Sequence, residues 1–151
     1  KEVKQAYPKK TAFLLAHVGF IWVIVRSYGL RLAWLPTVLI VSAAAGYFSL
    51  LLPHLGALMV PVAVYLSVII TMVVLAVGMA LYSSTRVARY VALGAIVFAI
   101  SDSVIAYNKF LQPVWWSTLV ILGLYWLAMT LLAYYVPALL SEAKARRSTK
   151  A

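Results

Sequence analysis

The sequence predicts an all-α protein, a polytopic bundle of five transmembrane helices forming one membrane domain over residues 1–151. Three observations lead there. Hydrophobic residues fill 66% of the 151 positions, mean hydropathy is +1.00, and charged residues are held to 11%, well below the roughly 25% of a soluble domain. The apolar residues fall in five runs, each near the about 20 residues that a helix needs to cross hydrocarbon. A helix is also the element that satisfies its own backbone hydrogen bonds there. Finally, the cations stand between and outside these runs.

The first helix is expected over about 11–27, "TAFLLAHVGFIWVIVRS". Arg26 closes it and no small-residue cleavage site follows, so it reads as a membrane helix and not as a signal peptide. The second covers about 32–52, with Pro36 in its first turns, where proline is tolerated. "PHLG" at 53–56 reads as a tight turn. The third, about 57–82, is long enough to tilt and again has an early proline, Pro61. "SSTRVAR" forms the next loop. The fourth helix spans about 87–109, "LQP" turns the chain, and the fifth runs over about 114–136, stopping before Pro137. The polar tail, 141–151, reads as frayed helix. Small residues four apart, Ala95, Ala99 and Ser103 on the fourth helix and Ser42 and Gly46 on the second, are the expected close-packing faces.

The net charge is +10, from 13 Lys and Arg against 3 acids. Its placement at the helix ends is a topology signal, with cations at the headgroups, and not a nucleic-acid footprint. With five spans, one side holds Lys1, Lys4, Lys9, Lys10 and Lys109. The other holds Arg26, Arg31, Arg86, Arg89, Lys144, Arg146, Arg147 and Lys150. The positive-inside rule puts that second side, and the C-terminus, in the cytoplasm. There is no cysteine, which excludes disulfides, thiol nucleophiles and Cys-ligated metals. His17 and His54 show no metal-ligand spacing, so neither a metal nor another cofactor is expected.

Of the three acids, Glu2 and Glu142 lie near the ends and Asp102 alone is interior, in "ISDSVIAYNKF" at 100–110. An Asp at mid-membrane costs roughly 2.5–3.5 kcal/mol on insertion scales, and such residues face the bundle interior or a water cavity. At about 1.5 Å per residue, Asp102 lies roughly 12 Å from the end of its helix. His17, Tyr47, Tyr65, Ser117 and Tyr125 fall near that depth on the same side, and Asn108 and Lys109 close the layer at the interface. Polar groups of five helices thus converge on one half of the membrane. Lys109, seven residues after Asp102, projects from the same face. The carboxyl has Lys109 or a hydroxyl as structural partners. Of Ser101 and Ser103, one is expected to bond back to a helix carbonyl and the other to meet the carboxyl. Trp115 and Trp116 read as an interfacial aromatic belt, and His54 has no special claim. Desolvation disfavours the charged form of a carboxyl, which suits general-acid work, and histidine can activate water. No serine sits in a GxSxG elbow. Acid-plus-water hydrolysis of an amphiphile is the expected chemistry.

"ISDSVIAYNKF", followed by "LYWLAMTLLAYY" at 124–135, resembles the YhhN-like family of membrane proteins, which includes the lysoplasmalogenases. "FLLAHVGFIW" at 13–22 and "PVAVYLSVIITMVVLA" at 61–76 fit the same pattern, so that the similarity covers nearly all of 11–136. The resemblance implies a family of about eight spans, of which this chain matches the last five. Together with Lys1 in place of Met, this makes a fragment the expectation. The family's usual glutamine is replaced by Met129. The implied activity is cleavage of the vinyl-ether bond of lysoplasmalogens to a fatty aldehyde and glycerophosphoethanolamine or glycerophosphocholine, with a lysophospholipid substrate and a bacterial inner-membrane location. In that reading Asp102 is the acid and His17 the water-positioning group. Tyr65, Ser103 and Tyr125 line the substrate, and Asn108 and Lys109 stand at headgroup depth. The alternatives are a non-enzymatic membrane protein, such as a small transporter or an assembly partner with Asp102 as a relay, or an inactive truncated family member. Internal repeats and broken midplane helices, common in transporters, are not seen.

Overall fold

The computed structural model describes residues 6–149, with side chains from residue 12 onward except Phe13. Lys1, Glu2, Lys4 and Lys150 lie outside the described residues. The chain is helical almost throughout: α1 (Ala6–Tyr28), α2 (Trp34–Leu55), a short 3-10 turn (Gly56–Leu58), α3 (Met59–Ser83), α4 (Arg86–Phe110) and α5 (Ser117–Ser148).

Each connection has a local cause. Gly56 ends α2 with φ +49° and ψ −127°, a backbone conformation open to residues without a Cβ. The break therefore falls at 56–58. Pro53, expected to open the turn, lies inside the last turn of α2. Ser84 leaves α3 in the left-handed region, and Thr85 starts α4 by accepting the Ala88 N–H at 3.2 Å, a side-chain N-cap. The loop after α4 is tied by Asn108, whose Oδ1 accepts the Val114 N–H at 2.8 Å. The loop before α2 lies directly on α3, where any Cβ on Gly78 would collide with the Arg31 carbonyl.

The fifth helix departs most from expectation. It runs through Pro137 to Ser148 and does not fray at the polar tail. Membrane helices tolerate such a proline because surrounding groups re-satisfy the backbone. The extension is clasped to the end of α1. The Tyr28 hydroxyl donates to Glu142 at 3.2 Å, the Arg147 guanidinium donates to the Arg26 carbonyl, and the Arg146 guanidinium lies 5.2 Å from the Tyr28 ring.

α4 packs between α3 and α5, α1 lies against α3 and α5, and α2 leans on α3 with a lighter contact to α4. The core is continuous through Ile24, Met72, Ala76, Met79, Val91, Ala95, Phe98 and Leu132. Small residues on α4 bring α5 close, since a Cβ on Gly94 would stand 3.1 Å from Leu131 and Leu132. Ala95, the next residue, is fully buried. Ser42 and Gly46, the other expected contact face, are exposed, and a Cβ on Gly46 would meet nothing within 4 Å. Large apolar side chains such as Trp34, Leu39 and Leu119 point outward, as they do on helices solvated by lipid. Among the described residues, three helical stretches are long and apolar enough to cross a membrane: Trp34–Ser83, Arg86–Phe110 and Ser117–Ser148. Leu14–Tyr28 is a shorter apolar helix. This is the make-up of an integral membrane protein.

Candidate functional site

Asp102 sits where three helices meet. The Tyr65 hydroxyl of α3 donates to its Oδ2 at 2.6 Å. His17 of α1 is buried, and its ring packs on Phe98 of α4 with centroids 4.5 Å apart and edge-on to Tyr65 at 6.1 Å. Phe98 and Asp102 are one turn apart, hence on one face of α4, so the residue that seats His17 shares a face with the acid. His17 and Asp102 lie within Coulombic reach of each other. Tyr125 of α5 packs against the same core and lies within Coulombic reach of Tyr65. Of the residues expected at the site, the structure therefore brings together Asp102, His17, Tyr65 and Tyr125.

The partner of the carboxyl is a hydroxyl, one of the two kinds expected, and not Lys109. Lys109 is roughly 10 Å further along the helix axis, with its ammonium over the Phe110 ring at 5.2 Å. Neither flanking serine meets the acid. Ser103 Oγ donates back to the Ala99 carbonyl at 2.8 Å, and Ser101 Oγ donates across to the Ile121 carbonyl at 3.3 Å. A phenol from another helix takes the role, a pairing that no spacing within α4 could reveal.

The face of α4 that bears the acid opens toward the end of the helix. Phe98 is buried, Asp102 is partly exposed, and Ile105 and Lys109 are exposed. The acid thus lies at the base of an open face whose far end carries a cation. Ser103 and Asn108 belong elsewhere. At about 100° per residue they point away from Asp102, and they line a separate groove of about 440 Å³ with Tyr47, Ile100, Tyr107 and Trp116. Tyr47, on α2, donates its hydroxyl to the Ser103 carbonyl at 2.6 Å, which ties α2 to the same level of α4. Phe98 was missed in the sequence, although its position four residues before Asp102 marks it. Trp115 and Trp116 stand exposed at the start of α5, His54 lies in the last turn of α2, and Ser117 is buried with its hydroxyl on the Val114 carbonyl.

Chemically, the arrangement offers a carboxyl with one oxygen held by a phenol, an imidazole beside it, and aromatic rings around them. Such a site can deliver a proton and stabilise a nearby cation.

The model of the YhhN family matches residues 10–136, a segment that contains every residue of this cluster. Lysoplasmalogenase TMEM86B of Homo sapiens is 35% identical over 127 residues, which cover 83% of this chain and 51% of that protein. The chain thus spans about half the length of that relative. No solved structure matches.

Proposed function

The chain belongs to the YhhN family, and we propose that it acts as a lysoplasmalogenase-like hydrolase, cleaving the vinyl-ether bond of single-chain ether phospholipids. The observation that carries this reading is the Tyr65–Asp102 hydrogen bond beside buried His17, at the base of a face that opens toward Lys109. The named relative, a lysoplasmalogenase, supports the substrate class.

In this reading Asp102 transfers a proton to the vinyl carbon β to the ether oxygen. The charge develops as an oxocarbenium ion, which the resulting carboxylate stabilises. His17 orients the water that adds to the cation, and the water's proton returns to the carboxylate. The hemiacetal then collapses to a fatty aldehyde and the glycerophospho-alcohol. Tyr65 holds one carboxyl oxygen, Tyr125 forms a wall, and Lys109 pairs with the substrate phosphate at the interface, where ammonium–phosphate contacts are strong. Ser103 and Asn108 fall outside this set.

The same reading gives the chain five spans. The 50-residue stretch Trp34–Ser83 folds back at Gly56, and α1 adds the fifth crossing. The cation balance then puts the C-terminus in the cytoplasm, with a bacterial inner membrane as the setting.

The test is fatty-aldehyde release from lysoplasmenylethanolamine by the purified protein in detergent, with the saturated alkyl-ether lysolipid as control. Aldehyde is expected only from the vinyl ether, because only that substrate gives an oxocarbenium ion on protonation. Absence of aldehyde from both substrates would overturn the hydrolase and leave Asp102 as a relay or structural acid.

A further inference from the structure

The groove on the other side of α4 is unexplained by this chemistry. On α4 it is lined by Ile100, Ser103, Val104, Tyr107 and Asn108, which recur at steps of three and four and so form one face. At about 100° per residue that face is centred roughly opposite Asp102. A ligand in the groove cannot have its reacting atoms on the carboxyl.

The groove has a direction. From Asn108 to Ile100 it descends about 12 Å along the helix, from the end where Trp115 and Trp116 stand to aliphatic side chains alone. At the upper end Asn108 Oδ1 is taken by the Val114 N–H, which leaves the amide N–H2 group as donor. Beside it the Tyr107 phenol, within Coulombic reach of Tyr47, lines the same groove. Lower down, the polar groups are already used: the Tyr47 hydroxyl on the Ser103 carbonyl and Ser103 Oγ on Ala99. Amide and phenol donors in its upper part, above an apolar floor at Ile100 and Val104, are complementary to the phosphate and glycerol oxygens of a head on a hydrocarbon chain. The volume of about 440 Å³ lies within the range of about 300–1,000 Å³ of small-molecule sites.

We propose that this groove is a second lipid site, separate from the reacting cluster, which holds one chain of a bilayer phospholipid with its headgroup oxygens on Asn108 and Tyr107. It goes beyond the hydrolase reading and does not rest on it.

Native mass spectrometry of the full chain, released from detergent with added palmitoyl-oleoyl phosphatidylethanolamine, tests it. Wild type is expected to retain one phospholipid at activation energies that strip the remainder. Val104→Trp, which fills the groove floor, should lower that occupancy at least tenfold, and Tyr107→Phe several-fold. Leu39→Trp, on an outward face of α2 away from the groove, should match wild type. The Tyr107 variant keeps the test decisive should the tryptophan variant fail to fold. Equal retention in wild type and both groove variants would overturn the proposal, as would absence of a retained lipid from wild type. A dimer in its place, lost on Val104→Trp, would assign the groove to a second copy and overturn it equally. Aldehyde release measured on the same samples stands apart, since a silent hydrolase with a retained lipid would sink only the catalytic reading.

Discussion

The two halves of the bundle follow opposite rules. The half that holds the end of α3 and the start of α4 carries the most enclosed core, where Met72, Ala76, Met79, Ala88, Val91 and Ala95 form one buried cluster of small and aliphatic side chains. In the other half, from Asp102 toward Phe110 and from Tyr65 back toward Met59, exposure rises and hydroxyl, imidazole and carboxyl groups appear. Association of helices in lipid depends on close van der Waals contact and gains nothing from hiding apolar surface from water. The packed half therefore supplies the cohesion. The polar half carries the cost of a partly buried acid and offsets it with one short phenol bond. A site of this kind needs the rigid half to hold His17, Tyr65 and Asp102 in register across three helices.

The comparison can be broken most sharply at Gly78. A side chain there strikes the backbone carbonyl of Arg31, which cannot rotate away, so Gly78→Val should cost about 3 kcal/mol, the upper end of overpacking penalties. Denaturant unfolding in micelles would read it, and an unchanged midpoint would show that the loop before α2 is not fixed on α3. Next, Leu132→Ala, wholly buried between α4 and α5, should lose about 2–5 kcal/mol. Leu39→Ala, on an outward face, should lose about 0.5 kcal/mol or less. Tyr65→Phe should act differently, leaving a carboxyl without its donor. The expected loss is about 1–3 kcal/mol in stability, together with a fall in turnover larger than any change in KM. A pure KM effect would make Tyr65 a binding residue. The smallest effect is expected at the α5 clasp. Arg147→Ala removes an exposed contact to the Arg26 carbonyl and should change stability by under about 1 kcal/mol, seen as earlier hydrogen exchange at the end of α5.

Much of this plan was legible in the residues. Five apolar runs marked the helices, and depth counting alone placed His17, Tyr65, Asp102 and Tyr125 in one layer, because helix rise is fixed and the turns are short. What counting along a helix cannot supply is azimuth. Ser103 shares the depth of Asp102 but points toward another groove, and Asn108 lines that same groove with its Oδ1 on the Val114 N–H. Tyr65 became the partner of the acid through the packing of α3 on α4, which no local spacing encodes. The prolines misled for a related reason. Pro53 and Pro137 lie inside helices, since neighbouring groups in the bundle decide whether the missing N–H matters. The tail of α5 read as polar and loose, yet Tyr28 and Arg26 on α1 give it partners.

The central claim is that Asp102 carries the chemistry and does not merely hold the fold. Asp102→Asn keeps the shape and an acceptor for Tyr65 but removes the transferable proton. In a side-by-side assay of aldehyde release from lysoplasmenylethanolamine, with thermal unfolding on the same samples, turnover should fall by at least about 100-fold, the lower end for loss of a general acid. The unfolding midpoint should stay level or rise. An asparagine variant that releases aldehyde at the wild-type rate would contradict the account.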